Sequence, residues 1–274
     1  MSPLLLLLLP AVGGAASAAL WWMRARGARG PDVALGGLGF VAIDTETTGL
    51  DPRADALVAV AAIPFVEGRP RLDAAVDRLV DPRRPIPEAA RAIHGITDDD
   101  VRAAPPAEVV LPELLATCAT RPLVAHTAWF DVTLINRAAA RAGLPSLRGP
   151  VLDIGALAHA LFPSWWDLSL EGLGRLMEVE MVDRHTARGD ALTAGLIFLR
   201  MIPRLEERGV RTLSGALRLQ RRRPAIGGGP GPSGRRADHS RGIRLRDPPH
   251  RRHRRRHGPR RDSHRAAGQD RRPR

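Results

Sequence analysis

The sequence predicts an α/β domain in which helices flank a mixed sheet. Two observations carry that expectation. Three short apolar runs come first, at residues 40–43, 56–66 and 75–80. Helix-like and strand-like stretches then alternate, and from residue 168 onward the chain reads as helical. Strands first, an alternating middle and helices last describe a sheet covered by helices better than a bundle or a sandwich.

The elements follow in order. Residues 40–43 are a continuous apolar run ending at Asp44, as in a strand buried on both faces. The run 56–66 closes at Glu67-Gly68, and 75–80 stops at Asp81-Pro82. Val109, Val110, Leu114 and Leu115 give residues 106–119 helical spacing. Residues 123–125 are a short strand delivering the chain to His126. A helix over 130–142 turns Leu134, Ile135 and Ala138 inward and ends at Gly143 and Pro145. Residues 151–152 form a brief strand before Asp153, and helices are predicted over 168–177 and 187–205.

The two ends differ from this middle. Residues 3–23 carry no charge, include six consecutive leucines, and are followed by Arg24, Arg26 and Arg29. About 20 apolar residues span a bilayer, so residues 1–24 are expected to be a membrane anchor. Trp21 and Trp22 would lie at its interface. The arginines place the C-terminal side in the cytoplasm, as for a single-pass inner-membrane protein. Ala16-Ser17-Ala18 resembles a signal-peptide cleavage site, but no basic residue precedes the apolar run. Translation from Met23 would give a cytoplasmic protein. Residues 25–37 read as a linker, 38–207 as the folded domain and 208–274 as an Arg-rich, disordered tail.

Charge supports that division. The formal net charge is +13, yet 19 of the 42 basic residues, all Arg, lie in 221–274 beside four Asp. The remaining 23 Arg and 25 acids nearly cancel, so the basicity is a property of the tail. It is an arm for nucleic acid or anionic lipid, a solvated appendage, or an out-of-frame translation of GC-rich DNA. The single cysteine, Cys118, excludes an internal disulfide and reads as a small core residue.

Three motifs in the middle carry chemistry. Asp44-Thr-Glu46-Thr-Thr-Gly49 closes the first strand, and side chains two apart on a strand share a face. Two carboxylates aimed at one spot repel unless a cation lies between them. Asp131 follows His126-Thr-Ala-Trp-Phe130 at the start of a helix. His185-Thr-Ala-Arg-Gly-Asp190 places a histidine on a loop before a helix, Thr186 as its N-cap and Asp190 in its early turns.

Together these motifs resemble those of the DEDDh branch of the DEDD 3′→5′ exonuclease superfamily. That branch includes the epsilon proofreading subunit of DNA polymerase III and RNase T. Ile93-His-Gly-Ile-Thr97, Asp153 and Leu168-Ser-Leu-Glu-Gly-Leu173 extend the resemblance over about residues 38–207. It implies an RNase H-like fold with a five-stranded mixed sheet. It also implies two divalent ions, Mg²⁺ or Mn²⁺, held by Asp44, Glu46, Asp131 and Asp190. Asp44 would bridge them, Glu46 and Asp190 would complete one, and Asp131 would support the other. His185 would be the general base. Thr48, Gly49 and Leu50 would line the terminal nucleotide, with His94 a further candidate. Thr127 stands where many relatives have Asn.

The function so implied is removal of nucleotides from DNA 3′ ends, single-stranded or frayed. An RNA-trimming enzyme is the alternative within the same chemistry. A membrane-tethered nucleic-acid-binding module with an idle site is the alternative outside it. No polymerase-binding segment is recognisable in residues 208–274, so association with a DNA polymerase has no motif behind it. Trp165 and Trp166 read as a loop cover, with base stacking the other option.

Overall fold

The computed structural model describes residues 32–221. The expected anchor at 3–23 and the tail from residue 222 lie outside the described residues. No described helix is long and apolar enough to cross a membrane.

The core is a mixed sheet between two layers of helices. Its strands are β1 (Phe40–Thr47), β2 (Leu57–Val66), β3 (Arg69–Pro70), β4 (Val76–Leu79), β5 (Leu123–Ala125) and β6 (Val151–Asp153). They run in the order β3-β2-β1-β5-β6, with β4 also pairing β2. β1 is antiparallel to β2 and parallel to β5, so it lies at the centre, where the two pairing senses meet. The five strands predicted from apolar runs are all present. The sixth, β3, is two residues that extend the β2 hairpin beyond Glu67-Gly68. β1 also runs past Asp44 to Thr47, so the acidic pair lies within the strand.

One face of the sheet presents Phe40, Ala42, Ile63 and Phe65. Against it pack α5 (Ile154–Leu161), α6 (Leu170–Met177) and α7 (Ala187–Glu207). Phe40 stacks on Phe65 at 4.6 Å and meets Phe198 of α7 edge-on at 5.1 Å. α7 approaches closely because Gly195 has no side chain: a Cβ there would lie 2.3 Å from the Phe65 ring. The other face presents Val41, Ile43, Val60 and Ala62 to α3 (Ala107–Cys118) and α4 (Ala128–Arg141). Buried Cys118 belongs to that layer.

Four helices depart from the sequence-based reading. Between β4 and α3 lie α1 (Glu88–His94) and the one-turn α2 (Asp98–Val101). α2 opens with a capping box formed by Thr97 and Asp100. α5 starts directly at Asp153, whose carboxylate accepts from the Ala156 N–H. α8 (Leu213–Leu219) falls in the segment assigned to the tail, with Leu213 and Ala216 buried. Its lead-in pairs with residues assigned to the linker. Leu35 N–H donates to Arg211 O at 2.9 Å, Leu213 N–H to Val33 O at 2.8 Å, and the Leu35 side chain is fully buried. The packed unit therefore extends beyond the expected limits of 38 and 207, because apolar residues on both flanks find partners in each other.

Leu213→Ala tests whether this flank is structural. Truncating a buried leucine costs roughly 2–5 kcal/mol, so denaturant unfolding should show a loss in that range. A change below about 0.5 kcal/mol would return residues 208–219 to the tail.

Candidate metal and catalytic site

The site forms at the C-terminal end of β1. Asp44 and Glu46 stand opposite Ala61 and Ala59 of β2, and the register shifts between Glu46 and Thr47. The small partners leave space over the two carboxylates. Asp190, in the first turns of α7, faces them from the helical layer. Thr186 fixes that turn as N-cap, accepting from the Gly189 N–H at 3.0 Å. Gly189 sits so close to the preceding loop that a Cβ would lie 2.2 Å from Asp183 O. Asp44, Glu46 and Asp190 each bring a ligand atom into one group whose members lie within 4.8 Å of one another.

The electrostatics record this crowding. Burial, followed by repulsion from Asp131, Asp190 and Glu46, holds the Asp44 carboxyl well above the usual carboxylate range. Burial and the Asp190 charge push Glu46 up to about 7. Asp190 is also raised by burial, while Arg184 opposes the shift. The Arg184 guanidinium donates to Asp190 Oδ2 and, at 2.6 Å, to Glu171 of α6. Asp190 Oδ1 remains buried with no partner among the described residues. A buried, unpaired carboxylate oxygen facing two further carboxylates suits a hard divalent cation. The three acids are thus compatible with holding one.

Asp131 is adjacent but outside the group of three. It lies in the first turn of α4, and Thr45, between the two acids of β1, donates to its Oδ1 at 2.7 Å. Burial raises Asp131 to about 7, against the downward pull of Thr45. His185 lies on the loop before α7 in a left-handed conformation, φ 64°. Its charge and its backbone N–H both lower the neighbouring Asp190 carboxyl. The structure groups Asp44, Glu46 and Asp190, with Asp131 held by Thr45 between the two β1 acids and His185 near enough to Asp190 for its charge to act on it.

The turn after β1 is tightly built. Thr48 Oγ donates to Asp55 at 2.9 Å and accepts the Ala56 N–H at 3.0 Å. A Cβ on Gly49 would lie 2.5 Å from the Asp55 carboxylate, so glycine is needed there. Leu50 is 83% exposed at the tip. His94 is tied to backbone at both ring nitrogens. Its Nδ1 accepts the Ile96 N–H at 3.0 Å, which leaves Nε2 to donate to Thr47 O at 3.3 Å. With both nitrogens on backbone, the ring braces the end of β1. His126 and Asp153 are braces too: His126 Nε2 bonds Leu168 O at 2.8 Å, and Asp153 accepts the Ala128 N–H at 3.0 Å.

Sequence reasoning passed over Thr45, Glu171 and Arg184. Thr45 is the middle residue of the Asp-x-Glu motif and Arg184 the one before His185. Their position inside or beside motifs was the available signal. Of the tryptophans, Trp165 donates from Nε1 to Asp167 O at 2.8 Å, as a loop cover should, while Trp166 is exposed.

Comparison with known proteins agrees with this geometry. The model of the RNase_T family, described as Exonuclease, matches residues 41–198. A DNA polymerase III subunit epsilon-like protein of Rhodobacter capsulatus is 38% identical over 183 residues, covering 66% of this chain and 26% of the relative. A PolC-type DNA polymerase III of Streptococcus suis is 36% identical over 187 residues, covering 67% of this chain and 12% of the relative. The chain thus spans about a quarter or less of the length of these relatives. Among solved structures, exonuclease X in complex with 5′ overhanging duplex DNA is 27% identical with a TM-score of 0.50, covering 66% of this chain and 99% of that one. E. coli exonuclease I in complex with a dT13 oligonucleotide shares the fold, at 18% identity and a TM-score of 0.52 over 63% of this chain and 42% of its own.

The raised carboxyls set a pH dependence. In the window between ordinary carboxylate values and about 7, the folded state binds more protons than the unfolded state, so stability falls as pH rises. Metal-free protein should melt at a lower temperature at pH 8 than at pH 5. Mn²⁺ should raise the midpoint more at pH 8, where it need not displace protons. Equal midpoints at the two pH values, with no Mn²⁺ effect, would remove the acidic cluster as a cation site.

Proposed function

This chain belongs to the RNase_T exonuclease family, and on that footing we propose that it is a metal-dependent 3′→5′ exonuclease. It would hydrolyse the terminal phosphodiester bond of DNA at single-stranded or frayed ends. One observation carries the reading: Asp44, Glu46 and Asp190 present ligand atoms within 4.8 Å of one another, next to His185.

Two divalent ions, Mg²⁺ or Mn²⁺, would supply Lewis-acid stabilisation of the attacking and leaving oxygens. The residues divide the remaining work. Asp44 would be shared between two positions, with Glu46 and Asp190 on one side and Asp131 on the other. Thr45 holds one oxygen of Asp131 and so fixes which oxygen is presented. His185 would take the proton from the attacking water, a task for which imidazole is suited near neutral pH. Leu50, at the exposed tip of the 48–50 turn, would pack on the terminal nucleotide, while Thr48 and Gly49 fix the turn's shape.

DNA is favoured over RNA because the DNA of the exonuclease X complex and the polymerase III relatives point that way. An idle site is disfavoured because all four carboxylates and the histidine are present. The apolar length of residues 3–23 supports tethering to a membrane with this domain in the cytoplasm. Association with a polymerase has no recognised segment to support it.

Asp44→Asn keeps the volume and removes a ligand charge. With Mg²⁺ or Mn²⁺ supplied, its kcat on a labelled oligonucleotide should fall by at least about 10³-fold. His185→Ala should cost roughly 10²–10⁴-fold while leaving cation binding, followed by calorimetry, in place. Undiminished activity of Asp44→Asn would end the metal reading. Matched DNA and RNA oligonucleotides degraded side by side decide the substrate, and faster RNA turnover would favour the RNA-trimming alternative.

A further inference from the structure

A second feature of the molecule lies beside the 48–56 turn. A cavity of about 600 Å³ opens between that turn, the segment after β4, the start of α3 and the C-terminal half of α4. Four arginines line it, Arg83, Arg84, Arg137 and Arg141, against two acids, Asp81 and Glu108. The acids are already used: Glu108 pairs with Arg83, and Asp81 accepts the Arg83 backbone N–H at 2.8 Å. Arg84 is held in place by donating to Ala54 O at 3.0 Å. Arg137 is different. Its Nε and Nη1 are buried with no hydrogen-bond partner among the described residues. Burial and the neighbouring Arg141 charge depress its pKa, with Asp51 and Asp55 opposing. Exposed Arg141 forms no ion pair among the described residues.

Buried guanidinium donors without an acceptor are costly, and crowding a second arginine beside them adds repulsion. An anion with several acceptor oxygens relieves both, and guanidinium forks match phosphate geometry. The location specifies which phosphate. Leu57, in the cavity wall, pairs with Thr47 at the end of β1. The 48–56 turn therefore leads from the strand that carries Asp44 and Glu46 to the cavity wall at Ala54 and Ala56. Along α4, Arg137 and Arg141 stand six and ten residues beyond Asp131. At 1.5 Å rise per residue that is roughly 9 and 15 Å. A strand stacked as in a duplex advances about 3.4 Å per nucleotide and covers this in about three to four nucleotides.

We propose that the arginine-lined cavity is a subsite for backbone phosphates of the substrate strand, about three to four nucleotides upstream of its 3′ end. The proposal rests on the exonuclease reading above and adds to it a determinant of substrate length. A strand too short to reach the cavity forgoes its grip, and a longer one gains affinity without sequence preference.

The test uses the full chain with Mn²⁺, comparing KM on a trinucleotide and on a 12-nucleotide DNA strand. For Arg141→Gln the ratio of the 12-mer KM to the trinucleotide KM should rise about tenfold, and for R137Q/R141Q about a hundredfold. The slope of log KM against log salt on the 12-mer should shrink by about 0.7 per arginine removed. Arg141 is exposed, so its variant serves if the double variant melts early. An unchanged ratio and slope in R141Q would overturn the subsite. Equal losses on both substrates would also overturn it, because a residue beyond the trinucleotide's reach cannot weaken it. Absence of hydrolysis of either strand by the unmodified protein would instead strike at the exonuclease reading. Inorganic phosphate at about 10 mM should compete with the 12-mer more than with the trinucleotide, and equal inhibition of both would overturn the strand assignment.

Discussion

Carboxylates held close together and partly out of water repel one another, and much of this fold answers to that constraint. Two unit charges about 4.8 Å apart at an effective dielectric of about 20 oppose each other by about 3 kcal/mol. A domain is stable by only about 5–15 kcal/mol. Asp44, Glu46 and Asp190 could not all stay ionised there without compensation. Proton uptake, the Arg184 guanidinium and the Thr45 hydroxyl each offset part of the repulsion. The residue left over, the unpaired Asp190 oxygen, marks where a cation would complete the balance.

Holding the charges against their repulsion requires rigid supports from three directions. β1 supplies two acids from the middle of the sheet, where β2 pairs along its whole length and β5 pairs with Val41 and Ala42 just before them. α7 supplies the third, and its approach is set by Gly195 on Phe65 some five residues further along. Arg184 then ties α7 to α6 through Glu171. These contacts lie on the same face as the Phe40–Phe65–Phe198 cluster, so the largest apolar packing is also the frame of the site. α4 brings Asp131 from the opposite layer, and only Thr45, whose side chain points to that layer, reaches across to it.

Much of this was legible in the residues. Apolar runs marked five strands because buried strands leave an uninterrupted signature. The acids of β1 and the His185–Asp190 pair could be located because their spacing has a geometric meaning on a strand or beside an N-cap. What escaped was short or mutual. α2 is one turn, below the length at which periodicity can register, although its Thr97–Asp100 cap was written in the sequence. α8 and the Leu35 segment bury each other, and neither half shows a partner until the chain has folded. The Arg137 cavity is assembled from four segments and has no linear trace.

The pairing of Val33–Leu35 with Arg211–Leu213 has one more implication. It sets the segment before β1 beside the lead-in to α8, so the two flanks of the folded unit meet. A module of that kind can be spliced into a longer polypeptide with little distortion of its host or of itself. Such portability accords with the matched stretch filling only 12% of a polymerase from Streptococcus suis yet nearly the whole of exonuclease X.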